Sequence, residues 1–253
     1  MCLVLLSWKT KPDLPLIIAA NRDEQFNRPA SPIGYWEDAP DIVGGRDLVA
    51  KGTWLALAKN GRFGVITNFR DPTPVAAPRS RGDLIPAWLS GLKSPAQFLS
   101  DIENAEDQYA GFNLLFGDRD GLYYFSNRSL DSGPLPAGFY ALSNGALDEA
   151  WPKMQRGEAF MRTVLEKNAA TLHAFDPFLT DRRQAPDQDL PQPFFPIEQR
   201  RILSAPFIVG DRYGTRCSTT VIVDQAGGVN IREQHYAPLG EATQEYELSF
   251  AFD

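Results

Sequence analysis

Cysteine and histidine are scarce here, two of each in 253 residues. Two thiols cannot build a disulfide scaffold, so the chain reads as a cytoplasmic-type protein. His173 and His235 stand far apart without HxxxH or CxxC company, so neither a metal site nor a cofactor is expected. Positive charge is also short. Lys and Arg number 25 against 32 Asp and Glu, a net charge of -7, which excludes the clustered cations a nucleic-acid surface needs. Arg79-Ser80-Arg81 and Arg182-Arg183 are too short to reverse this and read as loop charges. No apolar run approaches the roughly 18 residues that span a bilayer. Leu3 to Leu6 has no basic leader and is interrupted at Lys9, so no export signal or integral membrane segment is expected. Gly44-Gly45-Arg46-Asp47 lacks the GKS or GxGxxG continuation of a phosphate loop.

Strand and turn signals fill both ends of the chain. Leu3 to Ser7 and Leu16 to Ala20 are apolar runs that do not alternate, separated by a Lys11-Pro12-Asp13 turn. That pattern fits strands covered on both faces. Asn60-Gly61 between Thr53–Ala58 and Arg62–Thr67 predicts a tight hairpin with both turn residues at φ > 0. Further hairpins are expected across Asp118–Gly121 and Ala226–Gly228, and Tyr246 to Phe252 reads as a last strand.

Helices lie between these sheet segments. Ser94-Pro95-Ala96-Gln97 carries a capping box with proline at the first helical position. Asp83 to Leu89 reads as a preceding helix. Trp151 to Lys167 places Met154, Phe160, Met161, Val164 and Leu165 near 3.6-residue spacing. Phe175 to Pro206, rich in Pro, Asp and Gln with a Phe194-Phe195 pair, reads as a long loop with at most a short helix. Strands, then helices, then strands predict a single α+β domain over 1–253, a four-layer α/β/β/α sandwich.

The second residue carries the chemistry. Removal of Met1 would leave Cys2 with a thiol and a free α-amine on one residue. The amine titrates near ~8 and the thiol near ~8.5, so nucleophile and base come together. The most polar interruption of an apolar strand is Ala19-Ala20-Asn21-Arg22-Asp23-Glu24. Alternation puts Asn21 and Asp23 on one face and Arg22 on the other, and the Asp23 carboxylate beside the first strand could hold the α-amine of Cys2. Trp36 and Trp54 read as core or pocket wall, and Cys217 as a buried, inert thiol.

Cys2, the Ala20–Glu24 block, Gly52-Thr53-Trp54-Leu55, Thr67-Asn68-Phe69, Gly111–Leu114, Leu142-Ser143-Asn144 and Tyr213-Gly214-Thr215-Arg216 occur in order along the chain. Together they resemble the NRDE family of transport-and-Golgi-organisation proteins. The resemblance implies an N-terminal-nucleophile (Ntn) hydrolase fold and a link to haem or lipid handling. A more distant likeness joins it to cysteine Ntn amidases such as bile salt hydrolase and penicillin V acylase. By that likeness Asn21 and Asp23 match an Asn-x-Asp strand end, Asn68 and Asn144 the two asparagines near the oxyanion, and Arg216 a late strand arginine. The amidases carry an arginine directly before Asn-x-Asp, whereas this chain has Ala20 there and Arg22 two places on.

Two functions follow as expectations. In the first, Cys2 cleaves a small amide or acyl bond, with Asp23, Asn68, Asn144 and Arg216 catalytic and Asn21, Arg22 and Trp54 lining the binding site. In the second, the same pocket holds an apolar ligand such as haem or an acyl lipid and does no chemistry.

Overall fold

The computed structural model describes residues 2–70, 77–149, 151–191 and 195–253. Met1 and Phe194, on which two of the readings above rest, lie outside them. Among the described residues the strands are β1 (Leu3–Trp8), β2 (Leu16–Gln25), β3 (Ala30–Trp36), β4 (Ala39–Asp47), β5 (Leu55–Ala58), β6 (Phe63–Asn68), β7 (Phe112–Gly117), β8 (Leu122–Ser126), β9 (Gly133–Leu135), β10 (Gly138–Leu142), β11 (Tyr213–Val223), β12 (Gly228–Tyr236) and β13 (Ala242–Ala251). The helices are α1 (Leu84–Ser90), α2 (Pro95–Glu103), α3 (Pro152–Glu166), α4 (Asp176–Leu179) and α5 (Ile197–Leu203).

One sheet has the order β10-β1-β2-β11-β12-β13, and the other runs β3 to β9 in sequence order. The chain divides into two compact units. The first is Met1–Asn27, Ala137–Ser143 and Leu147–Ser249; the second is Arg28–Pro136, Asn144–Ala146 and Phe250–Asp253. Each joins an antiparallel sheet to helices packed on it, the α+β composition expected of the sandwich class.

In the first unit β1 is buried at every position, which is why its apolar residues run on without alternation. Leu3 and Leu5 of β1 and Ile17 and Ala19 of β2 meet Met154, Met161 and Leu165 of α3 and Phe178 of α4. α3 sits close because Gly157 faces the sheet: a Cβ there would lie 2.6 Å from the Leu5 side chain and 2.8 Å from that of Phe178. In the second unit α1 and α2 cover the other sheet. Trp88 is wholly buried there, 5.2 Å from the rings of both Phe98 and Phe116. Its indole N–H donates to the Phe63 and Gly117 carbonyls at 3.1 and 3.2 Å. The capping box of α2 forms as the sequence implies, with Ser94 and Gln97 each closing on the other's backbone.

Three local differences have physical causes. The β5–β6 turn uses three residues, with the Gly61 N–H bonded to the Ala58 carbonyl and the Ala58 N–H to the Arg62 carbonyl. Only Gly61 takes positive φ, +85°, so Asn60 does not need it. This is the bulge form of a hairpin turn. The 175–206 stretch holds more helix than expected, namely α4, α5 and a 3-10 turn at Asp187–Asp189. Finally, β3 and β4 emerge from a segment whose Pro32, Gly34, Pro40, Gly44 and Gly45 conceal a strand pattern.

Candidate functional site

β2 stays buried through Asp23, so it carries a polar run into the sheet interior. Asn21 is fully engaged. Its amide donates to the carbonyls of Leu179 and Pro206 at 2.8 and 2.9 Å, and its oxygen accepts from the Ser218 hydroxyl at 2.6 Å. It ties β2 to the end of α4 and to the segment leading into β11.

Asp23 follows on the same strand face. Its Oδ1 accepts from the Thr215 hydroxyl at 2.6 Å, and Thr215 stands opposite it in the β2–β11 register. Burial pushes the carboxyl above its usual range against the pull of the Lys153 cation and the Thr215 hydroxyl. Lys153, wholly buried in the first turn of α3, holds its ammonium 5.6 Å from the centre of the Trp151 ring.

Cys2 lies just before β1 and is partly exposed. Its Sγ donates to the main-chain carbonyl of Asp23 at 3.9 Å, and its own carbonyl accepts from the Ser143 hydroxyl at 2.7 Å. The thiol thus meets the Asp23 main chain, while the carboxylate is turned toward Thr215. Burial and the nearby Asp23 charge raise the thiol; the Asp23 carbonyl contact and the Arg22 charge oppose them.

Arg22 is buried and points to the other face of β2. A β-bulge falls at Arg216: Thr215 pairs with Asp23, and Cys217 pairs with Arg22. The Arg216 guanidinium donates to the Gln25 carbonyl at 2.8 Å and lies 5.3 Å from the Phe26 ring centre. Burial, joined by repulsion from Arg22, lowers its pKa.

The remaining predicted residues belong to the second unit. The Asn144 amide donates to the Asn68 carbonyl at 2.5 Å, and the Asn144 carbonyl accepts from the Arg70 N–H at 2.6 Å. Asn144 is buried, and its Oδ1 has no hydrogen-bond partner among the described residues. Asn68, at the end of β6, is exposed. Trp54 packs, partly buried, against the core around Trp88.

The structure therefore gathers Cys2, Asn21, Arg22, Asp23 and Arg216 around β1, β2 and β11. It pairs Asn68 with Asn144, and sets Trp54 in a core. Sequence reasoning missed Thr215, Ser143 and Lys153. Lys153 had a signal, because it precedes Gly157 by four residues and Met161 by eight and so falls on the buried stripe of α3.

Fold and site together define an α+β protein of two antiparallel sheets with a thiol seated at a buried, charged strand end. The chain belongs to the Transport and Golgi organisation 2 family, whose sequence model matches residues 1–238. It is 30% identical over 273 residues to the mouse Transport and Golgi organization 2 homolog, covering 98% of this chain and 97% of that protein. To the human homolog it is 29% identical over 255 residues, covering 92% of each. Among solved structures it is similar to the C2A mutant of conjugated bile acid hydrolase from Clostridium perfringens, with TM-score 0.49, 10% identity and coverage of 99% of this chain and 92% of that one. It is also similar to the Caenorhabditis elegans N-acylethanolamine-hydrolyzing acid amidase ortholog, with TM-score 0.38, 9% identity and coverage of 87% and 92%. No helix of the described residues is long and apolar enough to cross a membrane.

Proposed function

We propose that this chain is an Ntn-type cysteine hydrolase that cleaves a small amide or related acyl bond with Cys2 after loss of Met1. One observation carries the reading: the Cys2 thiol lies 3.9 Å from the carbonyl of Asp23, whose carboxylate sits beside Thr215 and in the field of the buried Lys153. The α-amine of Cys2 takes the thiol proton as sulfur attacks. A C–S bond forms, the C–N bond breaks as the tetrahedral adduct collapses, and the ammonium returns its proton to the leaving amine. Water then hydrolyses the thioester. Asp23 holds the ammonium form, and Arg22 and Arg216 supply positive potential. Residues 1–253 act as one domain in a reducing, cytoplasmic setting where both thiols stay free.

A second reading is a carrier of an apolar ligand such as haem or an acyl lipid: Ala20 stands where the cysteine amidases carry an arginine, and Arg22 lies on the opposite face of β2 from Asp23. Two measurements separate them. A panel of small amides and thioesters should be turned over by the parent and not by Cys2→Ala. Haem titration should give no Soret shift that depends on Cys2. Turnover that survives in Cys2→Ala overturns the hydrolase. A Cys2-dependent Soret shift without turnover establishes the carrier.

A further inference from the structure

The bulge that aims Thr215 at Asp23 has a consequence on the other face of β11. Without that extra residue, Thr215 and Cys217 would point the same way; with it, Cys217 turns to the face of Arg22. On that face Cys217 stands directly opposite His235 of β12, and Glu233, two residues earlier on β12, shares the face by alternation. The thiol sulfur, one Glu233 carboxylate oxygen and one His235 ring nitrogen all lie within 4.8 Å of one another. Cys217 and Glu233 are 2% and 1% exposed. His235, with its side chain 25% exposed, forms the open side.

We propose that Cys217, Glu233 and His235 form a three-ligand site for a zinc-class divalent cation, with the fourth position open beside His235. The donor set is the argument. Thiolate, imidazole and carboxylate are the three protein ligands of zinc, and catalytic-type sites use three of them and leave one position free. Bond lengths of about 2.0–2.3 Å put tetrahedral ligand atoms about 3.5 Å apart. Atoms already within 4.8 Å of one another need to close by no more than about 1.3 Å to reach it. Glu233 already has an outer partner: its second oxygen accepts from the Thr219 hydroxyl at 2.9 Å, the orienting contact that metal-binding carboxylates carry. The His235 ring hydrogen-bonds to the first Glu233 oxygen at 2.6 Å, and on cation binding that contact is exchanged for two bonds to the metal. Binding releases the Cys217 proton, and the imidazole binds in its neutral form. The pattern escaped sequence reasoning because the ligands are brought together by cross-strand register.

The test is cobalt(II) titration of the full chain, since only a cysteine ligand gives the near-ultraviolet thiolate-to-cobalt absorption. The parent should show that absorption saturating at equimolar cobalt, and zinc should displace it. Cys2→Ala should keep it, whereas Cys217→Ser should lose it. His235→Gln, at a partly exposed position that spares the core, should weaken cobalt binding by at least about tenfold, as should Thr219→Val through the outer contact. Absence of the absorption in the parent, its loss in Cys2→Ala with retention in Cys217→Ser, or parent-like affinity in His235→Gln overturns the proposal. The exposed His173, Glu245 and Glu247 trio contains no sulfur, so cobalt held there gives no such band, and a parent that binds cobalt without the band also counts against the site.

Discussion

The two units bury different things. Among the described residues the first buries five charged side chains, Arg22, Asp23, Lys153, Arg232 and Glu233, whereas the second buries one, Asp47. The second fills its core with Trp88, Phe98, Phe112, Phe116 and Phe125. A charge taken out of water costs several kcal/mol unless it is paired and hydrogen-bonded, so a unit that does this repeatedly is shaped by something besides stability. Arg232 illustrates the compensation required, with its guanidinium held by Asp176 at 2.7 Å and by Glu245. The contrast teaches that buried charge among the described residues is concentrated on β2, β12 and the start of α3, whereas the second unit's core is built mainly of packed aromatic rings.

Substitutions can break that contrast. The largest effect belongs to Trp88→Ala, which removes a fully buried indole and its two hydrogen bonds and should cost about 3–5 kcal/mol in denaturant unfolding. A loss below 1 kcal/mol would mean that the aromatic cluster is not the keystone of the second unit. Next comes Lys153→Met, which removes a wholly buried cation whose field opposes the burial of the Asp23 carboxyl and should shift stability by about 1–3 kcal/mol, with Asp23→Asn changing the size of that shift in the double variant. Unchanged stability in Lys153→Met, or strictly additive shifts, would show that the two charges do not depend on each other.

A smaller effect is expected at Asp47. Burial alone would raise its carboxyl, but Arg28 and the amides of Ala50 and Val49 outweigh burial and hold it below the usual carboxylate range. A carboxyl depressed by folding stabilises the folded state above its unfolded pKa, and that gain is lost as pH falls through the folded value. Asp47→Asn should therefore cost about 1 kcal/mol at pH 7, after allowance for the exposure of Arg28. The gap between parent and variant should close as pH drops below ~4. A gap that is constant with pH would assign the loss to the turn alone. The smallest effect is at Lys93, whose exposed pair with Asp101 should leave stability within about 0.5 kcal/mol in Lys93→Ala.

Much of this architecture is legible in the residues, for reasons that particular segments make plain. The capping box at Ser94 and the hairpins around Asp118–Gly121 and Ala226–Gly228 are local, so short windows contain all the information. The polar interruption at Asn21–Asp23 stands out because it ends an apolar strand. What stayed hidden depends on partners distant in sequence. The bulge at Arg216 sets which way Thr215 and Cys217 face, and nothing within Tyr213–Cys217 announces it. The meeting of Cys217 with His235 needs the β11–β12 hairpin extended several residues beyond its turn. Lys153 was passed over because a lysine in a helix ordinarily lies at the surface, although its spacing from Gly157 and Met161 marks the buried stripe.

Intact-mass measurement of the purified chain, before and after an electrophilic acyl probe, tests the nucleophile most directly. A mature protein lacking Met1 that gains a single acyl group on Cys2, more slowly in Asp23→Asn, is the predicted result. Retained Met1, or an adduct that appears on Cys217 while Cys2 stays unmodified, would contradict it.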